Sequence, residues 1–312
     1  MTPRQRFLAA VGGNKVDRPP VTTWVHFLSD HLSGEETASL HESFLKAYGW
    51  DCAKVMGDYR YPVPEGLDTL REAAQLDGFK VVGLDHPSFA EQLVCMKKLR
   101  ETMGPDFPLI DTAFDPYQSI VRNIGRNQQD ALWTHKKATL RALETVCASI
   151  CNYISEIKKL GVDGYFYSMN SCIPENFPRG TRQEVYETFL RPFDLEILKA
   201  AEGMVRVLHV HGTGLDLDRL EGYPFEVINL SDRAPSNPSL ADLRRKWPDK
   251  CLMGGLDENT LPDISLDLLA EQIDDAVAQA GRDRFILAPG CTLPSYTPKR
   301  SLDFLRAHAN TI

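Results

Sequence analysis

The feature that most constrains this chain is an alternation. Short apolar runs recur along its 312 residues, each followed by a turn and then a longer helical stretch. The runs are Pro20 to Phe27, Cys52 to Met56, Pro108 to Phe114, Gly164 to Met169, Val205 to His211, Glu226 to Leu230, Cys251 to Gly255 and Arg284 to Ala288. They are largely unalternated, as strands covered on both faces must be. The stretches between them carry helical periodicity. Leu143, Val146, Ile150, Ile154 and Ile157 recur at three- and four-residue steps between Leu140 and Leu160, and Leu266 to Ala280 and Leu302 to Ala309 behave alike. A further helix is predicted at the N-terminus, capped by Thr2, with Pro3 at its first position and Gly12-Gly13 as its stop. Eight strands alternating with helices predict a closed (β/α)8 TIM barrel behind that N-terminal helix, as a single domain over 1–312. No Gly-x-Gly-x-x-Gly follows the first run, which weighs against a doubly wound dinucleotide fold.

Composition excludes several function classes. A formal net charge of −8 would repel nucleic-acid phosphates. No window reaches the ~18 continuous apolar residues of a membrane helix, and Met1 to Arg6 lacks the apolar centre of a secretory signal. Seven cysteines, an odd number without paired spacing, predict free thiols and a reducing cytoplasm. Cys147 and Cys151, four apart on a helix, read as core-facing because no second pair matches them. The expected partner is a small-molecule substrate.

In such a fold, chemistry sits where strands end. The polar residues there are His26, Asp58, Asp115, Asn170, His209, His211, Asp232, Asp257 and Cys291. Leu208-His209-Val210-His211-Gly212 is the sharpest local signal, because residues two apart on a strand share a face. Two imidazoles on one face make half of a metal site; the alternative is a pair of histidines bonded to loop carbonyls. Cys291, after the break at Pro289-Gly290, is either a third ligand or a small buried hydrophobe. Two histidines, a cysteine and an open position suit catalytic Zn²⁺. Three further residues are candidate catalytic groups. His26 reads as a substrate contact, a fourth ligand or a core histidine. Asp58 reads as a substrate binder, a proton carrier or a loop cap. Tyr167 shares a face with Tyr165, so one of the pair could enter a pocket or both could be packing. Asp115 and Asp257 are candidates to orient the histidines.

Several stretches resemble the uroporphyrinogen decarboxylase superfamily. They are Arg4-Gln5-Arg6-Phe7-Leu8-Ala9-Ala10, Val16-Asp17-Arg18-Pro19-Pro20-Val21, Gly161-Val162-Asp163-Gly164, Met253-Gly254-Gly255-Leu256-Asp257 and the closing Gly290 to Pro298. The resemblance implies a barrel and one of two activities. The decarboxylases proper are metal-free and grip tetrapyrrole carboxylates with arginines just after the first strand, where this chain reads Thr22 to Asp30 without an arginine. The zinc-dependent methyltransferase branch carries a His-x-Cys pair and a distant cysteine as ligands. His209 and Cys291 match that set, and His211 stands in place of the middle cysteine. Histidine keeps the metal but makes it more electrophilic than a second thiolate would. The resemblance also places Asp58 where the family keeps an aspartate. It implies a corrinoid partner, which would arrive on a separate protein, since the chain has no Asp-x-His-x-x-Gly corrinoid-binding run. A metal-free decarboxylase or lyase is the alternative, and a barrel that only carries a corrinoid or tetrapyrrole is a third reading.

Overall fold

The computed structural model describes residues 1–312 except Pro178. Seven strands form one parallel sheet in sequence order: β1 Ala53–Val55, β2 Leu109–Phe114, β3 Gly164–Met169, β4 Val205–Val210, β5 Val227–Asn229, β6 Cys251–Leu256 and β7 Phe285–Pro289. The helices are α1 Pro3–Gly12, α2 Gly34–Tyr48, α3 Pro87–Met103, α4 Pro116–Ile124, α5 Gln129–Thr134 and α6 Lys136–Lys159, then α7 Gln183–Val185 and α8 Arg191–Ala200, joined by a π turn over Tyr186–Leu190. They end with α9 Leu240–Lys246, α10 Leu266–Ala280 and α11 Lys299–His308. Thr2 caps α1 in a capping box with Gln5, and Gly13 closes it in the left-handed conformation, as predicted.

The closed eight-stranded barrel is not formed. The sheet is open, with β1 and β7 at its edges. The run Pro20 to Phe27 makes only single bridges, Val21 to Leu287 and Val25 to Leu293. Two causes are visible. Pro19 and Pro20 have no N–H to give to a ladder. The N–H of Val21 donates instead to the carboxylate of Asp51, at 2.8 Å.

The open sheet still curls, since side chains from β1, β2, β3 and β4 and from the turn after β7 line one cavity. Curling gives it two separate cores. The concave side holds Phe7 and Ala10 of α1, Trp24, Ile110, Phe166, Val207, Val227, Met253 and Ile286. The larger core lies between the sheet and the helices, with Val55, Leu143, Ile154, Tyr165, Tyr167, Leu208 and Ile273. Burial on both faces explains the unalternated strands. No helix among the described residues is long and apolar enough to cross a membrane.

Candidate metal centre

At the C-terminal ends of the strands a cavity of about 220 Å³ opens over the concave core. His209 and His211 reach it from β4 and the residue after it, as the two-residue spacing predicts. Cys291 arrives from the turn after β7, which Gly290 permits: a Cβ there would lie 2.4 Å from Ser231 Cα. Gly212, at φ +119°, turns the chain away behind the second histidine. Cys291 Sγ stands 3.6 Å from His211 Nδ1 and 3.9 Å from His209 Nε2. One donor atom from each of the three lies within 4.8 Å of the others. Ligands held at about 2.0–2.3 Å by a tetrahedral ion sit roughly 3.3–3.8 Å apart, so small side-chain shifts would seat one. The cluster can coordinate a metal ion.

Its surroundings suit that use. Asn229, the register partner of His209 on β5, donates its amide NH₂ to the carbonyls of Met253 and Pro289. Its Oδ1 can then only accept, so His209 Nδ1 donates to it at 2.6 Å and Nε2 presents a lone pair to the cavity. Burial, with His211 and Lys54 nearby, pulls the His209 pKa down to about 3, and burial plus Arg126, Arg179 and Arg122 lower that of His211. Both rings are held toward the neutral form, in which a ring nitrogen can ligate a metal. Burial raises the Cys291 thiol.

The remaining walls are unusual in their charge. Lys54, on β1, is buried, and its Nζ lies 4.4 Å from the Phe166 ring centroid and 2.7 Å from Met56 Sδ. Burial draws its pKa down to about 7. Arg122 and Arg126 line the mouth; desolvation lowers both, with Arg60 and Arg126 acting on the first and Arg179 on the second. The buried Thr112 Oγ1 and Gln118 Oε1, also in the lining, have no hydrogen-bond partner among the described residues.

The other candidates divide. His26 lines the cavity, and its Nδ1 lies 2.8 Å from Asp58 Oδ1. Asp58 also accepts from the Ser29 hydroxyl and N–H. Burial raises its pKa, but these hydrogen bonds, that from His26 above all, leave it below the ordinary value. Asn170 lines the cavity too. Tyr167 does not: Phe166 and Ser168 hold the concave phase of β3, so Tyr165 and Tyr167 face the helices. The Tyr167 hydroxyl donates to buried Asp194 at 2.6 Å. Asp115 caps α4, Asp257 caps the turn at Asn259 and Thr260, and Asp232 accepts from the N–H of Gly255. None of these three orients a histidine. Asn229, Lys54, Arg122 and Arg126 escaped the sequence reading, because their places depend on register and on curl.

Residues 44–311 match the family described as Uroporphyrinogen decarboxylase (URO-D). The chain belongs to this family. The match begins after the landmarks Arg4 to Val21 and takes in His209, His211 and Cys291 but not Trp24 or His26. No curated protein matches the sequence. Among solved structures, a methyltransferase from Methanosarcina mazei is 19% identical with a TM-score of 0.80, covering 100% of this chain and 99% of its own. A putative vitamin-B12 independent methionine synthase from Listeria monocytogenes is 15% identical with a TM-score of 0.59, covering 89% and 86%. A B12-independent methionine synthase from Shewanella sp. W3-18-1 is 15% identical with a TM-score of 0.55, covering 94% and 93%. At these identities the likeness is one of fold. Within the URO-D family, this chain has its cavity arginines on α4 and just beyond it, and none from Thr22 to Asp30.

Proposed function

We propose that this URO-D family member is a methyltransferase or demethylase. It moves a methyl group between a small O- or S-methylated compound and a corrinoid, thiol or folate-type carrier, with Zn²⁺ held by His209, His211 and Cys291. The observation that carries the reading is the convergence of three donors, from β4, the residue after it and the turn after β7, within small side-chain shifts of the spacing about a tetrahedral ion. The names of the structural relatives point the same way. Bound there, Zn²⁺ would acidify a thiol or hydroxyl acceptor, or polarise a methoxy or methylthio group.

The chain's own residues do the rest. Asn229 keeps His209 in the tautomer that offers Nε2. Trp24, Met56, Phe114 and Phe166 keep water from the inner wall. The His26–Asp58 pair holds a proton at the rim: with Nδ1 donating to Asp58, Nε2 is free to accept one or give it back. Arg122 and Arg126 meet a carboxylate or phosphate on the substrate. A corrinoid, where one is used, is brought by a separate protein. Tyr167 has no place in this scheme.

Metal analysis of Cys291→Ala against wild type tests the reading: the variant should lack about one equivalent of zinc and all methyl transfer from methoxylated or methylthiolated donors. One observation favours the metal-free decarboxylase instead, namely the cationic mouth. That reading requires activity that survives both chelation and Cys291→Ala.

A further inference from the structure

On the other side of the sheet from the cavity, α6 and α8 lie against each other and carry a second group of donors, two thiols and a carboxylate. Cys147 and Cys151 sit one helical turn apart on the same face of α6. The spacing alone suggests two core cysteines, and Cys147 is buried. Cys151 is only half-buried, and exposed Glu196 approaches from α8. One donor atom from each lies within 4.8 Å of the others. Behind them the Tyr165 hydroxyl is fully buried, has no hydrogen-bond partner among the described residues, and lies near enough to feel the charge of both thiols. A buried hydroxyl without a partner beside two sulfurs is costly unless something polar completes the group.

We propose that Cys147, Cys151 and Glu196 form a second metal site, which takes a thiophilic divalent cation such as Zn²⁺ or Cd²⁺ and clips α6 to α8. The donor set is chemically coherent. Two thiolates select a soft or borderline ion, and a carboxylate from another helix supplies a third ligand without adding a third thiolate. The exposed carboxylate and the half-buried Cys151 give the ion a path in from solvent and leave a fourth position for water. Cys147, at the floor, is shielded and ties the ion to the helix. Because its ligands come from two helices, binding favours the folded state and stiffens the layer behind β3. The site is independent of the methyl-transfer reading, and either can fail alone.

The test is a cadmium titration of reduced, chelator-stripped, full-length protein, followed by the thiolate-to-metal absorption band and by equilibrium dialysis. Wild type should bind about two equivalents. A His211→Ala/Cys291→Ser variant should keep one of them, with its sulfur band, and should still gain melting temperature on adding cadmium. Cys151→Ser, or the exposed Glu196→Gln should Cys151→Ser fold poorly, should lose that equivalent or bind it at least about tenfold more weakly. Absence of the sulfur band in folded His211→Ala/Cys291→Ser protein overturns the proposal. So does unchanged binding in Cys151→Ser and Glu196→Gln.

Discussion

The two ends of the sheet hold charge in opposite ways. At the N-terminal ends, among the described residues, two buried carboxylates are each paired with arginines. Asp51, ahead of β1, takes Arg6 at 2.8 Å, Arg18 at 2.6 Å and the N–H of Val21 at 2.8 Å, with Arg306 at 3.3 Å. Asp163, ahead of β3, takes Arg4 at 2.9 Å and Arg100 at 2.6 Å. At the C-terminal ends the balance is missing. Lys54 lies among aromatic rings and a thioether, and two arginines crowd the mouth. A network in which opposite charges are paired has little charge left to offer a ligand and serves the fold. An unpaired one is held in place by the rest of the molecule and serves binding. Of the landmarks that suggested the family at the outset, Arg4, Arg6, Asp17, Arg18 and Asp163 belong to the charge-paired end, while the closing stretch from Gly290 brings Cys291 to the cavity.

That contrast is broken most forcefully at Asp51. Asp51→Ala strands Arg18 in the interior and leaves Arg6 only its pair with Asp17, and we expect about 3–5 kcal/mol of stability to go, read by denaturant unfolding. Lys54→Met should act in the opposite sense. Met fills much of the same space and removes a buried charge that no carboxylate neutralises, so stability of the metal-free protein should rise by about 1–3 kcal/mol while methyl transfer is lost. The pH dependence gives a sharper version. Lys54 titrates at about 7 in the folded chain, below its ordinary value of 10.5, because burial disfavours its charged form. Between those two values the unfolded chain binds the extra proton, so wild-type stability climbs with pH there relative to the variant. The gap between Lys54→Met and wild type should therefore be widest below pH 7 and close toward 10.5. A gap that stays constant with pH would show that Lys54 is not buried as a charge.

Asn229→Ala is a smaller perturbation, confined to the orientation of one ligand. We expect zinc affinity to fall about 10–100-fold in competition with a chromophoric chelator, as loss of a histidine's outer hydrogen bond commonly produces. The variant should still fold, and Cys291→Ala should remain the more damaging change for metal. Affinity equal to wild type would mean that Asn229 braces the sheet and nothing more.

What sequence could and could not reveal follows from the range of the interactions involved. Seven of the eight apolar runs are strands, because a run covered on both faces announces itself locally. The eighth, Pro20 to Phe27, looks the same locally and fails through a distant residue, Asp51, whose carboxylate takes the Val21 N–H. The histidine pair was legible from its spacing, and Cys291 from the Pro-Gly break before it. The phase of a strand is another matter. Tyr165 and Tyr167 share a face, as the period requires, yet which face is fixed by register: Ser168 pairs with His209, and those two line the cavity. Asn229 is legible only through that register as well. Lys54 reads as an ordinary residue in a short run until the curled sheet closes aromatic rings around it.

The gentlest test concerns the mouth. Arg126 is half-exposed, so Arg126→Gln should change stability by no more than about 0.5 kcal/mol, in contrast with Asp51→Ala at the other end. What it should change is the response to anions. In wild type, inorganic phosphate should meet Arg126 beside Arg122, whose pKa burial, Arg60 and Arg126 already lower, and binding there would favour the folded state. Phosphate should thus raise the melting temperature of wild type more than that of Arg126→Gln, and added chloride should shrink the difference by screening. An identical phosphate response in both proteins would remove the arginines from the substrate's path. It would leave the three metal donors beneath them unaffected, because those are held by β4, by Asn229 and by the Gly290 turn rather than by anything at the mouth.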